Sequence, residues 1–83
     1  MKEILVKLGV PAVKSSYDVF VPTDLEIGEL VKILVGGVRD LSNGKYYQSG
    51  REQLAMKTPE MLLDPAPTLG EYAVPECAEL MLL

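Results

Sequence analysis

The sequence predicts an α+β domain: a single mixed sheet of four or five strands with one α-helix packed across it. Two observations carry this. Short β-branched apolar runs stand at both ends of the chain, and after Pro22 the apolar spacing changes from a period of two to a helical period. A sheet with one amphipathic helix across it is the simplest two-layer way to bury both kinds of stripe.

The elements follow in order. "EILVKL" (3–8) reads as a strand, "GVPAVKSS" with Gly9 and Pro11 as a turn, and "YDVFV" as a second strand forming an antiparallel hairpin with the first. In "TDLEIGELVKILVGGV", Ile27, Leu30, Val31, Leu34 and Val38 recur at three- and four-residue steps, which predicts a helix at about residues 26–38. Thr23 and Glu26 have capping-box spacing, with Asp24 or Glu26 as alternative caps, and Gly36-Gly37 is expected to end or fray the last turn. A polar, glycine-rich loop covers about Asp40 to Glu52. "QLAM" and "EMLL" suggest a tight strand pair, "DPAP" a turn, "TLGEY" one helical turn capped by Thr68, and "AELMLL" a closing strand. For that apolar end to be buried, the first and last strands must lie side by side in mid-sheet. Residues 1–83 then form one domain.

Composition excludes several function classes. Net charge is −4, from 8 basic and 12 acidic residues with the signs interspersed, so no basic stripe exists to hold nucleic acid. Cys77 is the only cysteine and histidine is absent, which removes the commonest metal ligands and the commonest general base. No cofactor or metal is expected. Lys7 and Pro11 interrupt what would be a signal-peptide core, and no window approaches the ~20 apolar residues of a membrane span. A cytoplasmic protein without direct membrane insertion is the expectation.

"LLDPAPTLGEYAVPECAELMLL" resembles the ending of ubiquitin-type β-grasp domains. A turn leads there to Thr68, Leu69, Glu71 and Tyr72, then Val74, and a final strand carries Leu80 and Leu82. "YDVFVPTDLEIGELVKIL" is similar to the second strand, Pro-containing bend and helix of that superfamily. Within it, the acidic-apolar helix start, "LSNGKYY" and the apolar end are most similar to the bacterial YukD/EsaB ubiquitin-like proteins. That family is associated with type VII (ESX-like) secretion systems in Gram-positive bacteria. The resemblance implies a non-conjugated protein-interaction module, a cytoplasmic component or regulator of such a system, with secretion-system membrane components among its partners. The alternatives are a free-standing β-grasp adaptor and a modifier or carrier activated at its C-terminus. The second conflicts with an ending on Leu83 rather than on a glycine tail, since Gly36-Gly37 is the only Gly-Gly.

An enzyme is not expected. Asp24, Glu26, Glu29 and Glu71 sit near helix starts, where carboxylates favour the dipole. Cys77 lacks an activating neighbour and reads as a semi-buried structural thiol, and Tyr17 and Tyr72 read as core or corner residues. Tyr46-Tyr47 in the loop are candidates for an aromatic partner contact, against the plainer reading that one packs on the core edge. Strand parity puts Ile4, Val6, Tyr17, Val19, Val21, Leu80 and Leu82 on the helix side. Leu5, Phe20, Met81 and Leu83 then share the open side, with Ala55 beside them if the third strand follows the ubiquitin register. An open face should be polar, so this patch is the expected protein-interaction surface and a route to weak homo-oligomers. Lys7, Lys57 and the long loop are the groups that could cover it instead.

Overall fold

The computed structural model describes residues 2–46, 50–57 and 60–83. Strand β1 spans Glu3–Val10 and β2 spans Ser15–Pro22, joined by a 3₁₀ turn at Pro11–Val13 that ends on left-handed Lys14. Helix α1 covers Ile27–Leu41, followed by β3 (Leu54–Met56), β4 (Met61–Leu62) and β5 (Glu79–Leu82). The sheet order is β2-β1-β5-β3-β4. β5 is therefore the middle strand, parallel to β1 and antiparallel to β3. The expected hairpin, the paired short strands and the side-by-side first and last strands are all present.

The core lies between α1 and one sheet face. Ile4, Val6, Leu8 and Val10 from β1 meet Ile27, Leu30, Leu34, Val35 and Val38 from α1, with Leu54, Leu80 and Leu82 closing the floor. Tyr17 and Val19 pack against this cluster from β2. Alternation of buried and accessible residues along β1 and β5 is the period-two pattern of a sheet covered on one side.

Three local expectations are corrected. The helix does not stop at Gly36-Gly37 but runs to Leu41, because Val38 is buried and holds the last turn onto the core. Ser42 and Gly44 then donate their amides to the carbonyls of Val38 and Arg39, with Asn43 and Gly44 left-handed. The Thr23–Glu26 capping box does not form either. Glu26 is the N-cap residue without a side-chain cap bond, and Thr23 donates its hydroxyl to the Lys2 carbonyl. The first helical amides are met by tertiary partners: Ile27 N donates to Pro67 O and Gly28 N to Pro65 O, each at 2.9 Å. Glycine at 28 eases this approach, since a Cβ there would stand 3.2 Å from the Pro65 Cβ and the turn would have to give by a few tenths of an ångström.

The capping box that does form is at Thr68. Glu71 N donates to Thr68 Oγ1, and Thr68 N donates to Glu71 Oε1, both at 3.1 Å. This "TLGEY" segment is the expected single capped turn, closed by Tyr72 N donating to Thr68 O at 3.3 Å, and it carries Leu69 fully into the core. Asp64 N donates to the Tyr72 hydroxyl at 2.9 Å, tying the turn back to the segment after β4. Cys77, expected half-buried, is exposed. Its φ of 66° is left-handed, and its amide donates to Leu5 O at 2.7 Å while the thiol points away from the core.

These contacts predict an asymmetry in mutational cost. Leu80→Ala should destabilise the domain by about 2–5 kcal/mol, because it empties a filled position in the core. Phe20→Ala, 69% exposed, should stay near the surface value of about 0.5 kcal/mol. Urea denaturation of the two variants measures both, and similar losses would mean that the faces are assigned the wrong way round.

Candidate functional site

The sheet register resolves the open face into rows. Leu5 stands opposite Phe20 at one corner. The next row crosses four strands: Asp18 opposite Lys7, Lys7 opposite Glu79, and Glu79 paired with Lys57 through an Nζ–Oε2 contact of 3.2 Å. Beyond it lie Ser16, Gly9, Met81, Ala55 and Leu62 in register from β2 to β4. Leu83 continues the alternation one step past β5, exchanging backbone hydrogen bonds with Gln53 at 2.8 and 3.0 Å.

The expected continuous patch is thus two patches. Leu5 and Phe20 form one, and Met81, Ala55, Leu62 and Leu83 form the other. Leu5 and Gly9 are separated by four residues, about 13 Å along the strand. A belt of alternating charge, Asp18–Lys7–Glu79–Lys57, runs between them. Lys7 and Lys57 therefore divide the apolar surface instead of covering it. Leu62, 56% exposed, is the side chain that sequence reasoning missed. Its two-residue strand is too short to show a period, although its place opposite Ala55 follows once the hairpin is drawn.

Met81 is half-buried, lying beside the side-chain-free Gly9, whose hypothetical Cβ would stand 3.7 Å from Met81 Cγ. An open cleft of about 440 Å³ is centred there, lined by Lys7, Lys14, Lys57 and Glu79 around Gly9 and Met81. Ala55 is buried, at 4%, because it sits between Met81 and Leu62; it floors the row and cannot itself be a contact residue.

Tyr46 is also corrected. It is 6% exposed and belongs to the core cluster, so it is not an aromatic handle for a partner. Its amide donates to Ser42 Oγ at 3.0 Å and its hydroxyl to Glu52 Oε2 at 3.2 Å, which ties the loop to its own far end. Tyr47 lies outside the described residues. Among the carboxylates weighed as catalytic, Glu71 is committed to its cap, and Glu29 pairs with Lys32 on the helix surface at 3.4 Å. Among the described residues no group of three or more acidic, cysteine or histidine side chains could hold a metal ion. No helix there is long and apolar enough to cross a membrane.

With this geometry in view, solved structures define the class. The chain has the ubiquitin-like β-grasp fold. It superposes on the ubiquitin-like domain of the Mycobacterium tuberculosis type VII secretion system protein EccD1 with a TM-score of 0.76 at 13% identity, covering 100% of this chain and 99% of that one. The EccD5 ubiquitin-like domain from Mycobacterium xenopi gives 0.72 at 19% identity, covering 100% and 94%. A ubiquitin-like domain from an Arabidopsis thaliana protein gives 0.67 at 22% identity, covering 100% and 78%. No family model matches the sequence, and no curated protein matches it either.

The Tyr46 anchor has a pH signature. Burial pushes its phenol from 10.0 up to about 12, helped by the charge of Glu52 and by the hydrogen bond to it. The folded state then holds a proton that the unfolded state has released, so stability falls as pH rises between these two values. Tyr46→Phe should cost about 1 kcal/mol at neutral pH through the lost hydrogen bond. Its deficit against the native protein should shrink between pH 10.0 and about 12. Chemical denaturation across that range measures it; a constant difference would show that Tyr46 ionises equally in both states.

Proposed function

We propose that this protein is a non-conjugated ubiquitin-like interaction module of the YukD/EsaB kind, a cytoplasmic component or regulator of a type VII secretion apparatus. The Met81–Ala55–Leu62 row carries the reading. Over the buried Ala55 it places the half-buried Met81 and the exposed Leu62 on the solvent side of the sheet, beside a cleft and next to a charged belt. Large apolar groups gathered on an open face mark a contact surface, and the polar rim supplies orientation. The end-to-end likeness to a domain of EccD1, itself a type VII secretion protein, supports the secretion context.

The partner that fits is a protein segment with an apolar anchor for the Met81 row and charges complementary to the belt. Phe20 belongs to the other patch and contributes little to this contact. The test is site-specific photo-crosslinking from position 62 in cells, with mass spectrometry of the adduct. A secretion-apparatus protein should be captured. In a binding assay with that protein, Leu62→Ser with Met81→Ser should weaken affinity at least about tenfold, as loss of an anchor does. Phe20→Ser should retain most of it. Adducts confined to unrelated proteins would remove the secretion role. Equal losses from both variants would mean that the charged belt does not divide the surface.

A further inference from the structure

The cleft on the open face carries a charge opposite to that of the chain as a whole. Lys7, Lys14 and Lys57 border it, and Glu79 is the one acidic side chain in its lining, a net of +2 in a chain of net −4. Glu79 is already engaged by Lys57, at 3.2 Å. Among the described residues no ion pair holds Lys7 or Lys14, and both are exposed. Asp18 stands opposite Lys7 on β2 and lies outside the lining.

The floor of the cleft is Gly9, inside β1. A Cβ there would reach only ordinary contact with Met81 Cγ, at 3.7 Å, so internal packing does not call for glycine. Glycine within a strand weakens it and often marks a place where another chain approaches closely. Lys7 precedes this floor by two residues on the same strand. Lys57 lies across β5 from Lys7, two strand spacings or about 10 Å away. Lys14 rises from the turn at the far end of the hairpin. The three ammonium groups thus stand on different sides of the floor, which suits carboxylates spaced along a segment better than one compact anion. All three lysines are exposed, so there is no desolvated pocket for a small ion. Met81 adds apolar surface at the edge of the cleft.

We propose that this cleft takes an acidic segment of a partner protein, laid over Gly9 with an apolar side chain against Met81 and carboxylates on Lys7, Lys14 and Lys57. Charge selects the occupant. A basic segment would be repelled, and a neutral one would cover the lysines without pairing them. The acidic surface elsewhere on the chain turns an acidic segment away, so the cleft also fixes where it lands. The inference rests on the reading of the open face as a contact surface and is independent of the secretion role.

The test is an NMR titration of the isotope-labelled native chain with three synthetic peptides, each a leucine followed by a run of glutamate, glutamine or lysine. The glutamate peptide should shift the amides of Lys7, Gly9, Ser16 and Met81. The glutamine peptide should bind at least about tenfold more weakly, the scale of losing several exposed charge pairs. The lysine peptide should leave those amides unmoved. Raising the salt from about 0.02 to about 0.5 M should weaken the glutamate peptide, because exposed charges are then screened over a few ångströms. Lys7→Glu with Lys14→Glu, at two exposed positions, should abolish binding of the glutamate peptide and transfer it to the lysine peptide, with Tm little changed. A native cleft that ignores the glutamate peptide, or binds the glutamine peptide equally well, overturns the proposal. So does a charge-reversed variant that folds and keeps its affinity for glutamate. Cleft shifts together with crosslinks confined to unrelated proteins would remove the secretion role and support this site. A captured secretion protein with no cleft shifts would overturn this site alone.

Discussion

The structure depends on one constraint: β5 must be satisfied on four sides at once. Its backbone has a parallel neighbour in β1 and an antiparallel neighbour in β3. Its side chains alternate between the core, through Leu80 and Leu82, and the open face, through Glu79 and Met81. Shifting the strand by one residue would drive Glu79 and Met81 into the core and expose both leucines. The turn before it fixes the register from outside. Leu5 donates its amide to the Glu76 carboxylate and accepts from Cys77 N, and Lys7 N donates to Ala78 O. That register sets Lys7 opposite Glu79, and so determines where the open face is charged and where it is apolar.

The helix is held by a second dependency of the same kind. Its N-terminal amides reach carbonyls of the Pro65–Pro67 turn, and that turn is held in place by the Thr68–Glu71 box and the Tyr72 hydroxyl. Satisfying helix amides from a distant loop couples the crossover to the segment leading into β5. In a chain this short, such coupling lets few apolar residues position both layers.

Strand order, the helix stripe and the two-faced parity of β1, β2 and β5 were legible in the sequence, because alternation and a 3.6-residue period are local signals. What was not legible depended on contacts between distant segments. Thr23 and Thr68 offer the same capping spacing, and only the approach of the Pro65–Pro67 turn decides which is used. Gly36-Gly37 looks like a helix end until Val38 is seen in the core. Adjacent tyrosines give no sign of which is buried, and Tyr46 is settled by Ser42 and Glu52. Leu5, Phe20 and Met81 lie on the open side, as the alternation along their strands predicts. The division of that face followed from the lateral offset of parallel strands, which no local pattern encodes.

Native-state amide hydrogen exchange, residue by residue, tests the central place of β5 most directly. The amides of Leu80 and Leu82 should exchange only through global unfolding, with a protection free energy equal to the denaturant value. Those of Gly44 and Lys45 should exchange many-fold faster. Exchange at Leu80 and Leu82 as rapid as at Gly44, in a protein that still unfolds cooperatively, would contradict the account.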